Sequence, residues 1–376
     1  MLNYINYLFI LILLLLINSC KENSITTPET GKIRNYYLGF TPFPYDVTPE
    51  AVEFSYKIIK SESDIVAHHF DDGIPWQEAL DDKEFHQNLM ADWEYRKSHT
   101  PVGHKIYLAI TPINITRNGL APYKAEKGNI PLPPPWNTYK FNNPKIKTAY
   151  FNYAKRIINF FNPDFLTIGI EVNLLADSDT SLVKWNAYLE LHKFVYSELK
   201  KLFPALPIMV SFVGMDLIEG YRNVNHDVQI KAFNDMIDYT DYFGLSMHTF
   251  LSKFLADTIN AAIFKNIFSL SSKPIAICET SYPAQKFSIF NNSLIFNGSA
   301  NKQKKYFELL LSSAEKYNVK FIINFVIRDY DALWKAIGSP DDINKVWRDT
   351  GFYDESGNPR IVKELWLDKL KIKMKK

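Results

Sequence analysis

Residues 144–173 read PKIKTAYFNYAKRIINFFNPDFLTIGIEVN, and this stretch sets the reading of the fold. In its first part Ile146, Ala149, Tyr150, Tyr153, Ile157 and Phe161 recur at spacings of three and four, which predicts an amphipathic helix over 144–162. The part from Asp164 to Glu171 is apolar almost throughout instead of alternating, as a parallel strand covered on both faces should be. The same rhythm extends in both directions. Short apolar segments stand at 36–41, 64–70, 105–111, 165–172, 207–213, 242–248, 274–279 and 320–326, eight in all. A second clear stripe, Leu182, Trp185, Leu189, Tyr196, Leu199 and Leu202, predicts a helix over 180–203. Eight strand–helix alternations with no break in composition predict an α/β fold, a single (β/α)8 barrel over residues 32–376. The competitor is a doubly wound open sheet. It lacks its Gly-rich phosphate loop, since the first segment runs into Gly39-Phe-Thr-Pro-Phe-Pro-Tyr45.

The 376 residues, 47% hydrophobic, suffice for one large barrel core. A formal net charge of +2 with both signs dispersed offers no footprint for nucleic acid. The basic run from Lys369 to Lys376 reads as a solvated helix end, and no obligate protein partner is evident.

The N-terminus is a separate segment. An apolar run over 8–17 is followed by Ile17-Asn18-Ser19-Cys20, which resembles a bacterial lipobox. The resemblance implies a signal peptide over 1–19, acylation of Cys20 and a lipid-anchored body outside the cytoplasm. Lys21 resembles the residue of lipoproteins passed on to an outer membrane. Residues 20–31, polar and turn-rich, read as a flexible tether. The run is short of the roughly 20 apolar residues of a spanning helix, although an uncleaved anchor is the alternative. Cys278 is then alone in the mature chain, and no disulfide is expected.

Loops of unequal length follow the strands. The longest are residues 112–143 after the third segment, 281–301 after the seventh and 328–359 after the eighth. On a barrel these lie at the C-terminal face, where barrel enzymes build their sites.

Two glutamates end apolar strands at that face: Glu171 on the fourth, in Gly169-Ile-Glu171-Val-Asn173, and Glu279 on the seventh, in Ile277-Cys-Glu279-Thr-Ser-Tyr282-Pro. Two carboxylates across a barrel mouth can flank a glycosidic bond, one attacking the anomeric carbon and the other handling the proton. The bland explanation of each is a structural ion pair at a strand end. The chain here resembles the clan of retaining glycoside hydrolases on (β/α)8 barrels, closest to the endo-β-galactanase and β-mannanase branches. The Gly244-Leu-Ser-Met-His248 segment and the tail from Asp349 to Pro359 with Trp366 add to the likeness. The resemblance implies Glu171 as acid/base, Glu279 as nucleophile, and His248 in the place of a tyrosine that hydrogen-bonds the nucleophile. It departs at Ile170, where the clan has an Asn that contacts the sugar; Asn173 is the candidate substitute.

The second strand ends in His68-His69-Phe-Asp71-Asp72-Gly73-Ile-Pro-Trp76. Neighbouring residues on a strand point to opposite sides and no further ligands stand at zinc spacing, so a metal is not expected. His68, Asp71 and Trp76 read instead as sugar contacts, or as a loop tied to its own backbone. Trp136, Trp334 and Trp347 are candidate stacking platforms, with Tyr282 and Arg328 as further contacts. Each has a packing explanation as well. The 27 Phe, 22 Tyr and 7 Trp exceed what a core requires and fit a sugar cleft. The expected function is cofactor-free hydrolysis of a β-linked polysaccharide or oligosaccharide. The alternative is a surface glycan-binding lipoprotein on a barrel that has lost its chemistry.

Overall fold

The computed structural model describes residues 33–178, 181–252 and 260–375. The predicted signal peptide, Cys20 and the tether lie outside the described residues. Eight parallel strands close on themselves in chain order. They are β1 Tyr37–Phe40, β2 Ile65–Phe70, β3 Lys105–Ile110, β4 Phe165–Thr167, β5 Ile208–Val213, β6 Phe243–Met247, β7 Ile275–Thr280 and β8 Val319–Asn324. The ring shuts where β1 pairs with both β2 and β8, Gly39 opposite Ile65 and Tyr37 opposite Phe321. A Cβ on Gly39 would lie 2.1 Å from the Ile65 carbonyl oxygen, so glycine is what admits β1 to this position. Sequential closure is the predicted (β/α)8 barrel and excludes the open doubly wound sheet.

The strands are apolar on both faces because both faces are covered. Ala67, Tyr107, Phe165, Met209, Cys278 and Ile323 pack inside the barrel. Val66, Leu108, Leu166, Phe212, Leu245 and Ile277 belong to the outer core, beneath the helices. Each large apolar side chain so buried contributes about 1.5–3 kcal/mol.

Helices α1 Pro49–Glu62, α2 Gln87–His99, α3 Pro144–Phe161, α4 Val183–Leu202, α5 His226–Met236, α6 Ala262–Phe268, α7 Ala300–Lys316 and α8 Ile361–Lys371 surround the strands. In α3 the Asn143 side chain accepts the Lys145 N–H, Pro144 fills the first turn, and Asn162 ends the helix in the left-handed region. All six residues of its predicted stripe are buried. In α4 the buried face is rotated from the predicted one. Trp185, Tyr188, Leu191, Val195 and Leu199 face inward, whereas Leu202 is exposed at the last turn.

The long loops carry structure of their own. After β3 comes a hairpin, Tyr123–Ala125 with Gly128–Ile130, and a single turn, Trp136–Thr138. After β7 a second hairpin pairs Lys286–Ile289 with Leu294–Asn297. After β8 stand a short helix, Asp331–Ala336, and the turn Ile343–Trp347.

Candidate active site

Glu171 stands where β4 stops being a strand. Regular pairing ends at Thr167, and Ile170 turns into the barrel interior beside Met209 and Cys278. Glu171 itself has φ 50°, the left-handed region that a non-glycine residue occupies at a cost of about 1–3 kcal/mol. Three bonds hold that conformation: the Glu171 N–H donates to Ser211 Oγ at 3.0 Å, the Val172 N–H to the Ser211 carbonyl at 3.0 Å, and the Leu174 N–H to the Glu171 carbonyl at 3.1 Å. The carboxylate meets Arg117 Nη2 at 3.3 Å. Arg117, buried and also left-handed at φ 53°, gives its two Nη atoms to Asp71 Oδ1 and Oδ2 at 2.8 and 2.5 Å.

Glu279 is aimed by an irregularity in β7. Against β6, Leu245 pairs with Ile277 but Ser246 pairs with Glu279, leaving Cys278 as the extra residue. Cys278 points into the barrel. In a regular strand Glu279 would then face the helices; the bulge brings it back toward the mouth. His248 Nε2 lies 3.0 Å from Glu279 Oε1, and His69 Nδ1 lies 3.4 Å from Oε2. His248 Nδ1 is 3.0 Å from Ser281 Oγ, a hydroxyl that can donate to a neutral ring or accept from a protonated one. Burial pushes the Glu279 carboxyl up. The His248 hydrogen bond and the positive fields of His248, His69 and Arg117 outweigh it and hold Glu279 below the ordinary glutamate range. Trp347 packs edge-on to His248 at 5.9 Å.

Thus four residues singled out from sequence fall into two contact groups, Asp71 and Glu171 joined by Arg117, and His248 bonded to Glu279 with His69 on its other carboxylate oxygen, the field of Arg117 also reaching Glu279. Other expected contacts are elsewhere. His68 is on the outward face of β2, fully buried against Phe161 with Nε2 2.8 Å from Thr100 Oγ1; burial and the Arg96 charge lower its pKa to about 3. Trp76 and Trp136 stack on each other, and their indole N–H groups donate to the Ala121 carbonyl and Gln77 Oε1. Asn173 is buried between the Val213 backbone and Gln229 of α5, so it does not replace an Asn at 170. Tyr282 stacks on Tyr306 of α7, and Trp334 packs with Val326 and Tyr330. The Arg328 guanidinium lies 3.7 Å from the centre of the Tyr45 ring and donates to the Glu355 carbonyl.

Three groups at or near the site were not singled out from sequence: His69, Arg117 and Asp216. Asp216, in the turn after β5, is pushed up to about 6 by burial, against its ion pair with Arg222 at 3.0 Å. The negative fields of Asp177 and Glu171 add to the rise. Asp329, Asp331 and Asp349 also converge, but Arg360 and Arg348 neutralise that cluster at 2.5 and 2.8 Å. It reads as an ion-pair network in place of a metal centre.

No protein-family model and no curated protein matches the chain. Solved structures do, through the fold. An exo-β-1,4-mannosidase from Opitutaceae bacterium strain TAV5 superposes with a TM-score of 0.59 at 12% identity, over 92% of this chain and 61% of that one. This chain therefore spans about three-fifths of that protein's length. A GH5_18 protein from Bifidobacterium longum subsp. infantis gives 0.59 at 14% identity, over 92% and 80%. Fungal β-1,4-galactanases give 0.54 at 15% identity, over 84% and 90%. At such identities the likeness is one of architecture, and what the chain shares with these proteins is the closed eight-stranded barrel.

Proposed function

We propose that this protein is a retaining glycoside hydrolase acting on a β-linked polysaccharide or oligosaccharide. The observation that carries the reading is the pair of strand-end carboxylates, Glu171 after β4 and Glu279 on β7, with Glu279 held ionised by two imidazoles. An ionised carboxylate is what a nucleophile requires. Glu279 attacks the anomeric carbon while Glu171 gives a proton to the leaving oxygen, forming a glycosyl ester. Glu171 then takes a proton from water, which attacks the same carbon and releases Glu279. Two inversions leave the configuration unchanged. The similar barrels of a β-1,4-mannosidase and β-1,4-galactanases support the substrate class. Trp347, next to His248, supplies an apolar wall for a sugar face.

The roles are separable by rescue. Glu279→Gly should be inactive, and azide or formate filling the gap should yield an inverted product. Glu171→Ala should still form the covalent intermediate from aryl glycosides with good leaving groups, and azide should release it with retained configuration. Proton NMR of the products reads both. Swapped anomers would reverse the assignment, and a wild-type protein inert on every β-glycan would end the hydrolase reading.

A further inference from the structure

We propose that the cavity between the β2 and β3 loops is a second sugar subsite, built for an uncharged sugar unit of the same glycan; in naming the glycan as occupant it rests on the hydrolase reading above. The cavity measures about 640 Å³, inside the roughly 300–1,000 Å³ span of small-molecule sites. Asp71 and Asp72 stand on its β2 side, and Ile115, Asn129, Leu132 and Asn137 on its β3 side. This lining is matched to hydroxyl-rich, uncharged chemistry. The two carboxylates already have their counter-charges, Asp71 in the two-pronged Arg117 pair and Asp72 in an ion pair with Lys124. No lining residue is a cation, so an anionic sugar would meet carboxylates without a free partner. Carboxylates accept from hydroxyls, whereas amides both donate and accept, the pattern a sugar ring requires. The side-chain amides of Asn129 and Asn137 bond to nothing else among the described residues, and Ile115, 69% exposed, offers apolar surface beside them. No aromatic ring lines the cavity, so contact is aliphatic and hydrogen-bonded in place of stacked.

The cavity is connected to one of the two candidate catalytic carboxylates, Glu171. Asp71 belongs to its wall, and Arg117 carries the contact from Asp71 at 2.5 Å to Glu171 at 3.3 Å. A glycan threaded past Glu171 therefore has a place for a unit removed from the bond being cut.

The test compares the double variant Asn129→Ala/Asn137→Ala with its parent, two exposed substitutions at residues that make no hydrogen bond to Glu171, Glu279 or their partners. Tetrasaccharide binding is measured by calorimetry in a Glu279→Gln background, with β-1,4-mannotetraose, β-1,4-galactotetraose and, as the charged control of the same linkage, β-1,4-tetramannuronate. Hydrolysis of aryl monoglycosides is measured with an intact Glu279. The expected result is about tenfold weaker binding of a neutral tetrasaccharide, the loss of two ordinary hydrogen bonds, with monoglycoside hydrolysis unchanged. Unchanged tetrasaccharide affinity beside normal hydrolysis would overturn the subsite and leave the hydrolase reading standing. A parent inert on all glycosides, with affinity lost in the double variant, would do the reverse. Tetramannuronate bound as tightly as mannotetraose would overturn the charge argument, and a parent that neither binds a tetrasaccharide nor hydrolyses a monoglycoside would overturn both.

Discussion

Replacing His248 with Phe removes the hydrogen bond and the field that most oppose burial at Glu279, leaving only His69 and Arg117 against it. In the native protein the Glu279 carboxyl lies below its unfolded value. Its contribution to stability is therefore fully present above the unfolded pKa of about 4.3 and is lost as pH falls through the native value. The bond at stake is a 3.0 Å contact to a carboxylate, a class worth about 1.5–3 kcal/mol. Its loss should raise the Glu279 carboxyl from its depressed position. The variant's Glu279 should therefore lie closer to its unfolded value than in the native protein, and the linkage weakens. The stability lost as pH falls below about 4.3 should then be smaller in the variant than in the wild type. Urea midpoints at intervals from about pH 3 to 6 measure this without any assumption about activity. Should the protein hydrolyse an aryl glycoside, the acidic limb of kcat/KM should move upward as well. His248→Tyr keeps a donor and should recover most of both effects. Parallel stability curves for wild type and His248→Phe would show that the imidazole does not set the charge of Glu279, and the electrostatic account would fail.

Two further outcomes follow from the fold and the N-terminus. Trp136→Ala should cost about 3–5 kcal/mol in urea unfolding, because the ring is 2% exposed and stacked on Trp76, and it should lower activity on long and short substrates alike; a loss confined to long oligosaccharides would restore it as a sugar platform. The acylation proposed at Cys20 should be visible as radiolabelled palmitate in the wild-type protein and none in Cys20→Ala, and an unlabelled wild type would remove the lipoprotein reading.

The barrel was legible because its signals are local and repeated. A helix such as α3 announces itself through the spacing of Ile146, Ala149, Tyr150 and Tyr153, and a doubly covered strand through unbroken apolar residues. The α4 stripe shows where the signal weakens. Trp185 and Leu199 of the predicted stripe are buried, but Tyr188, Leu191 and Val195 complete the inner face in place of Leu189, Tyr196 and Leu202. Side-chain phase was harder. In His68-His69 one ring must face the barrel axis and the other the helices, but the choice depends on the strand's register, which put His69 at Glu279 and His68 against Phe161. The tryptophans misled for a physical reason: a long loop requires a small core of its own, and Trp76 with Trp136 is that core.

Both glutamates sit where regular strand geometry fails, Glu171 in a left-handed residue after β4 and Glu279 beside a bulge, so period-two counting does not aim either one. The irregularities also explain how Ile170 and Cys278 can be buried inside the barrel while the residue following each reaches the mouth. Arg117 lies 54 residues before Glu171, in a loop with no periodicity to single it out. Its distances bear on the proposed chemistry. A guanidinium clamped onto a general acid would oppose the proton that the acid must carry. Yet Arg117 reaches Asp71 at 2.8 and 2.5 Å and Glu171 only at 3.3 Å. The strong two-pronged pairing is spent on Asp71, leaving Glu171 a longer contact that orients it. Asp71 therefore serves the double-displacement reading as the group that occupies the arginine, which leaves Glu171 able to exchange a proton with the leaving oxygen and then with water.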